Sequence, residues 1–181
     1  MRRHLVRLTA VTAALLAAAP ALATLAVGAK APDFHTRGAM AGKVIDVDLA
    51  KLRRKGPVVL YFFPAAFTPG CNAEARAFAE KIDAFTAAGA TVVGMSADNV
   101  ADLQKFSSSE CAGRFAVASA GPKVIAGYDV ALGRQMKGRD ITSRTSYVIA
   151  RDGTVAMVHS DMSPADHINR TLAAVQAMRA H

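Results

Sequence analysis

The sequence has no tryptophan, 6% aromatic residues and two cysteines among its 181 residues. Two cysteines allow one pairing at most, which excludes a small scaffold stapled by several disulfides. Cys71 and Cys111 stand 40 positions apart, so there is neither a Cys-x-x-Cys redox pair nor a thiolate set with zinc-binding spacing. The five histidines also lack metal-ligand spacing, and His35, His159 and His167 read as surface residues. No internal repeat or low-complexity block interrupts residues 24–181. Basic residues are scattered apart from Lys51-Leu52-Arg53-Arg54-Lys55. That cluster ends in Gly56-Pro57 and reads as a solvated turn, which argues against a nucleic-acid surface. No apolar run reaches the roughly 20 residues needed to cross a bilayer.

The longest such run, residues 8–22, follows a short basic start carrying Arg2, Arg3 and Arg7. Ala21-Leu22-Ala23 then supplies the small-x-small pattern that signal peptidases accept. Residues 1–23 are read as a cleaved secretory signal, with an uncleaved amino-terminal anchor as the alternative. The expected mature chain is exported and periplasmic, with no stable membrane association, and forms a single domain over residues 24–181. Loss of the three arginines lowers the formal net charge from +8 to +5. At 52% hydrophobic and 20% charged residues, the composition is that of a globular domain with a sizeable core. The seven methionines suggest core packing rather than copper handling.

Hydrophobic periodicity orders the elements. Residues 44–49 alternate as in a half-buried strand. Residues 57–63, Pro-Val-Val-Leu-Tyr-Phe-Phe, form an apolar run suited to a strand buried on both faces. From Pro69 the pattern turns helical, with Ala75, Phe78, Ala79, Ile82 and Phe85 at three- and four-residue steps until Gly89. Residues 91–96 form the next strand. Asp98 is placed to cap a helix over 99–109, whose inner face carries Val100, Leu103 and Phe106. A short strand over 115–118 follows. Residues 146–150 and 154–160 flank Arg151-Asp152-Gly153 as a hairpin, and Ser163-Pro164 opens a final helix with Ile168, Leu172 and Val175. A helix between two buried strands implies a parallel βαβ unit, and the hairpin adds antiparallel partners. The expected fold is α/β, a mixed central sheet flanked by helices, with the thioredoxin-like architecture among those that fit.

The chemically informative stretch is Pro64-Ala65-Ala66-Phe67-Thr68-Pro69-Gly70-Cys71-Asn72-Ala73-Glu74. It lies where the buried strand ends and the helix begins, the place at which α/β folds gather reactive groups. Cys71 falls in the first helical turn, where unpaired amides and the positive end of the dipole favour thiolate over thiol. Thr68 precedes it by three residues, and Pro64 and Pro69 restrict the loop. Taken singly, the prolines could punctuate a loop and Thr68 could cap a helix.

Pro64-x-x-x-Thr68-x-x-Cys71 resembles the signature of the peroxiredoxins, the alkyl hydroperoxide reductase C and thiol-specific antioxidant family. The flanking residues look like its bacterioferritin-comigratory or Q-type branch. Val27-Gly28-Ala29-Lys30-Ala31-Pro32-Asp33-Phe34 is similar to the family's opening segment. Residues 143–149, Ser-Arg-Thr-Ser-Tyr-Val-Ile, with Asp152-Gly153, resemble its late strand and turn. The resemblance implies a thioredoxin fold and a cofactor-free, metal-free peroxidase acting on hydrogen peroxide or organic hydroperoxides. It implies Cys71 as nucleophile, Thr68 and Arg144 as groups that activate peroxide, and Pro64 as a residue shaping the pocket. A guanidinium suits that task because it stays charged and offers a rigid fork of donors. Glu74 looks like the family's acid that holds the arginine, or else it is a helix-start acid satisfying the dipole. Phe63 and Phe67, with Tyr61, are expected to shield the pocket, and Phe67 to contact alkyl substrates.

One departure bears on the cycle. Many Q-type members carry a resolving cysteine five positions after the nucleophile; here that residue is Arg76. Cys111 then becomes the candidate resolving thiol, with an inert buried thiol or a permanent Cys71–Cys111 disulfide as alternatives. The implied reductant is a thioredoxin-like protein or a small thiol, and the implied state is a monomer or weak dimer. Two competing functions remain: an exported thiol–disulfide oxidoreductase, and a non-catalytic thioredoxin-like binding module.

Overall fold

The structure is a computed structural model and describes residues 24–136 and 138–179. The segment read as a signal, residues 1–23, lies outside the described residues. At the centre is β3 (Val58–Phe62), every residue of which is buried. It pairs in parallel with β4 (Thr91–Ser96) and antiparallel with β8 (Thr145–Ile149). β5 (Ala116–Ser119) continues the sheet parallel to β4, and β9 (Val155–Ser160) pairs antiparallel with β8. An amino-terminal hairpin, β1 (His35–Met40) and β2 (Lys43–Asp48), closes the other edge through β1 against β5. The seven-stranded order is β2-β1-β5-β4-β3-β8-β9. A separate two-stranded ribbon joins β6 (Ala131–Met136) to β7 (Arg139–Thr142).

Strand alternation splits the interior into two cores. Val59, Tyr61 and Phe63 face one side, where α2 (Pro69–Ala87), α3 (Val100–Ser109) and α5 (His167–Arg179) pack. Val58, Leu60 and Phe62 face the other, under α1 (Leu49–Lys55) and α4 (Pro122–Gly127). Successive side chains of a strand point to opposite faces, so a β3 buried on both sides must be apolar throughout. The helix-bearing core is aromatic: Tyr61 stacks on Phe78 at 4.3 Å between ring centres, and Phe63 stacks on Phe106 at 5.3 Å.

Several expectations need correction. The cluster Lys51–Lys55 is helical, the last part of α1, with the Asp48 carboxylate accepting from Lys51 N–H at 3.0 Å. Arg53, Arg54 and Lys55 occupy its last turn, where cations complement the dipole. β1, α4 and the β6–β7 ribbon were not foreseen; their short segments lack a long apolar period. Asp98 does not cap α3. Asn99 does, accepting from Asp102 N–H at 2.8 Å, and Asp98 turns inward instead. α5 begins at His167, four residues after Ser163. His167 is fully buried rather than on the surface. Core packing holds for part of the methionines: Met95 is buried and Met157 and Met178 pack half-buried against the core, while Met40, Met136 and Met162 are exposed.

Phe78 presents a direct test of this packing. Phe78→Ala removes a ring held between Tyr61, Phe85 and Phe115 and should lower stability by about 3–5 kcal/mol in urea unfolding. A loss under 1 kcal/mol would contradict the placement of that core.

Candidate active site

The loop between β3 and α2 is tightly determined. Thr68 is the last extended residue before the helix and Pro69 occupies the first helical position, where its missing N–H is not needed. Phe67 adopts a left-handed backbone with φ of 64°, an uncommon state for a bulky residue that surroundings must impose. Cys71 is the third helical residue, in the turn whose amides have no intrahelical acceptor. Its side chain is packed into the helix-bearing core with 1% exposure.

Arg144 comes from the other side of β3, just before β8 begins. Each of its three guanidinium nitrogens has a separate partner. Nη2 donates toward Cys71 Sγ at 3.6 Å, Nη1 donates to the Glu74 carboxylate, and Nε donates to the Met162 carbonyl at 2.9 Å. The guanidinium is 4% exposed and Glu74 fully buried. Gly70 leaves room for it: a Cβ there would stand 3.2 Å from Nη2. A fixed cation at this distance is placed to meet negative charge that develops at the sulfur.

Behind this pair lies a polar group that sequence reasoning missed. His167 Nε2 must donate to the Asp161 carbonyl at 2.9 Å, so Nδ1 accepts from the Ser146 hydroxyl at 2.8 Å. Nδ1 also stands 3.9 Å from Glu74 Oε1, which has no hydrogen-bond partner. Burial pushes the Glu74 carboxyl up to about 7, with the Arg144 guanidinium opposing. Burial holds His167 down at about 4, which keeps the imidazole neutral. Its sequence context, on a solvent-flanked helix start, gave no sign of this role; only the Ser146 and Asp161 contacts reveal it.

The remaining candidates divide. The Thr68 hydroxyl donates to the Ala65 carbonyl at 3.0 Å, so its proton is engaged with the loop's own backbone and not with Cys71. Pro64 is buried and, with Phe67, Thr68 and Pro69, lines a cavity of about 300 Å³. That cavity lies against the outer side of the loop and has neither Cys71 nor Arg144 in its wall. Phe67 is exposed, its ring edge-on to Phe106. Phe63 is fully buried beneath the loop and lines no part of that cavity. Its expected contact with substrate is replaced by core packing. Cys111 is a free, fully buried thiol just after α3, in the same core as Cys71, which is also free. Burial, with Glu110 adding to it, pushes the Cys111 thiol well above its usual range. Arg76, at the position where many Q-type members have their second cysteine, lies 2.8 Å from Glu110, the residue before Cys111.

A helix-start cysteine beside an arginine that leads into a neighbouring strand, on a mixed sheet flanked by helices, defines a thioredoxin-fold protein with a cysteine-centred site. The comparisons with known proteins specify which. The model of the AhpC/TSA family matches residues 27–158, and the chain belongs to that family. Chloroplastic peroxiredoxin Q of Suaeda salsa is 34% identical over 74% of this chain, which spans 61% of that relative's length. Among solved structures, peroxidoxin BcpB of Mycobacterium tuberculosis is 32% identical with a TM-score of 0.74, covering 84% of this chain and 97% of its own. The bacterioferritin comigratory protein of Xanthomonas campestris, studied for alkyl peroxide reduction, is 25% identical with a TM-score of 0.67, covering 79% and 91%.

Glu74 and His167 titrate in opposite senses, and stability should show it. Between pH 4.5 and about 7 the folded chain retains a Glu74 proton that the unfolded chain has released, so this residue makes stability fall as pH rises. Between about pH 4 and 6.5 the unfolded chain binds a His167 proton that the folded chain refuses, so this residue makes stability fall as pH drops. Relative to wild type, the urea midpoint of Glu74→Gln should climb more steeply with pH, and that of His167→Gln less steeply. Three parallel pH profiles would contradict the assignment.

Proposed function

We propose that this chain is a thiol-dependent peroxidase of the thioredoxin-reduced type, with Cys71 as the nucleophile. The carrying observation is the placement of Arg144, whose Nη2 is held 3.6 Å from Cys71 Sγ by two further anchors. The thiolate attacks the terminal oxygen of a hydroperoxide, the O–O bond breaks, that oxygen's proton passes to the departing oxygen, which leaves as water or an alcohol, and the sulfenate left behind takes a proton from solvent. Sulfur supplies the two electrons and becomes a sulfenic acid. The guanidinium stabilises the thiolate beforehand and the negative charge on the oxygens during transfer. The Thr68 hydroxyl, one turn away, orients the peroxide by accepting its hydrogen bond, while its own proton stays donated to the Ala65 carbonyl.

Cys111 then serves as the resolving thiol, condensing with the sulfenic acid to form a disulfide and release water. A thioredoxin-like dithiol, or two equivalents of a small thiol, reopens it. Both sulfurs are buried, so resolution proceeds through local unwinding of the first turn of α2 and the end of α3. Each event uses only atoms that the chain, the peroxide, the reductant and solvent provide. Residues 1–23 act as an export signal, for which amino-terminal sequencing of the secreted chain should return Thr24 as the first residue. An intact Met1 on the exported protein would contradict cleavage.

Peroxide consumption with dithiothreitol tests the main reading. Wild type should turn over hydrogen peroxide or an organic hydroperoxide, and Cys71→Ser should lose activity by at least about a thousandfold. After one equivalent of peroxide, mass spectrometry should find a Cys71–Cys111 disulfide in wild type and a persisting sulfenic acid at Cys71 in Cys111→Ser. Activity surviving in Cys71→Ser would overturn the nucleophile. Insulin reduction without peroxide turnover would point instead to a thiol–disulfide oxidoreductase.

A further inference from the structure

The Asp98 carboxylate is a buried charge with three donors converging on it. Oδ2 accepts from Ala66 N–H at 2.7 Å and from the Ser96 hydroxyl at 2.8 Å, while Oδ1 takes Arg139 Nη2 at 3.1 Å. Asp98 stands just past the end of β4, Ala66 in the loop before Cys71, and Arg139 at the start of β7. A carboxylate this enclosed, 7% exposed, is expensive to bury unless its acceptor sites are filled. Nothing in helix capping requires it, since Asn99 performs that task for α3.

Its effect falls on the loop. Ala66 N–H is tied to a charge, a bond roughly twice as strong as a neutral one. The residue before it, Ala65, offers the carbonyl that receives the Thr68 hydroxyl, and the residue after it, Phe67, is the one in the left-handed state. A single anchor at Ala66 therefore governs both the strained backbone and the direction in which the Thr68 oxygen faces. Arg139 links the anchor to the β6–β7 ribbon, and it also reaches Asp102 Oδ2 at 3.5 Å. Asp98, Arg139 and Thr68 all contribute to the wall of the 300 Å³ cavity beside the loop.

We propose that Asp98 is a positioning residue for peroxide reduction, setting the Ala65–Thr68 geometry through Ala66 N–H, and that Arg139 acts through it. This rests on Cys71 being the nucleophile and Thr68 the peroxide-orienting group. Misplacing such a group by about 1 Å can lower a rate on the order of a hundredfold without touching the reacting sulfur. Asparagine at 98 keeps the volume but loses the charge and one acceptor, so the Ala66 and Arg139 bonds cannot both survive.

The discriminating experiment compares two reactions of Cys71 in the reduced full-length protein. One is stopped-flow oxidation by hydrogen peroxide, which needs an oriented loop. The other is alkylation by iodoacetamide, which needs only an accessible thiolate. Asp98→Asn should slow the first about 10- to 100-fold and leave the second within about threefold. Arg139→Gln, a change at a half-exposed side chain, should slow peroxide oxidation about 3- to 10-fold. The double variant should be no slower than Asp98→Asn alone, as groups acting in one chain are non-additive. Peroxide oxidation of Asp98→Asn within twofold of wild type would overturn the proposal. So would a parallel fall in both reactions, or two losses that multiply fully in the double variant. Wild type whose Cys71 is untouched by peroxide would defeat the peroxidase reading itself, a result separate from any of these.

Discussion

Everything distinctive about this molecule follows from one buried cation held by three different partners. Arg144 spends each guanidinium nitrogen separately, on the Cys71 sulfur, the Glu74 carboxylate and the Met162 carbonyl. Each partner comes from a different place in the chain: the first turn of α2, the next turn of the same helix, and the segment between β9 and α5. An arginine so placed cannot rotate without breaking charge-assisted bonds in a nearly dry interior. The fold therefore supplies a fixed positive group at the entrance of a helix that already favours negative charge there. The chain belongs to the AhpC/TSA family, and the mechanism proposed above draws on this one fixed cation.

The same interior explains why the site needs support from behind. Glu74 is fully buried with one oxygen unpartnered, and the neutral His167 ring sits close to that oxygen while engaged with Ser146 and Asp161. Burial works against a carboxylate there, and a neighbouring charged imidazole would change the balance. Keeping His167 neutral leaves Arg144 as the charge that Glu74 meets. Asp98 performs the corresponding duty for the loop backbone through Ala66 N–H, while Glu74 holds the arginine that reaches Cys71.

Much of this was legible from residue patterns because the relevant signals are local. The apolar run of β3, the periodic face of α2 and the strand at 91–96 were placed within a residue or two, since burial on both faces or on one stripe leaves a direct imprint. The motif from Pro64 to Cys71 was legible through its resemblance to a family signature. What escaped was set by partners distant in sequence. Asp98 looked like a helix cap because Asn99 and Asp98 are both good caps, and only the inward turn toward Ala66 decides between them. His167 looked like a surface residue because its neighbours Asp166 and Arg170 are polar, and its buried contacts come from β8 and the turn after β9. Phe63 was assigned to substrate because it adjoins the motif, yet strand alternation directs it under α2 and α3. The basic cluster at 51–55 looked like a turn because its charge hides the short helix that Asp48 starts.

The central claim is that the fork of the Arg144 guanidinium, not a positive charge alone, drives the reaction at Cys71. Arg144→Lys keeps the charge but cannot reach three partners at once. Measured by stopped flow with hydrogen peroxide, its second-order oxidation rate should fall at least about a hundredfold, close to that of Arg144→Gln. A lysine variant that oxidises at nearly the wild-type rate would contradict the account.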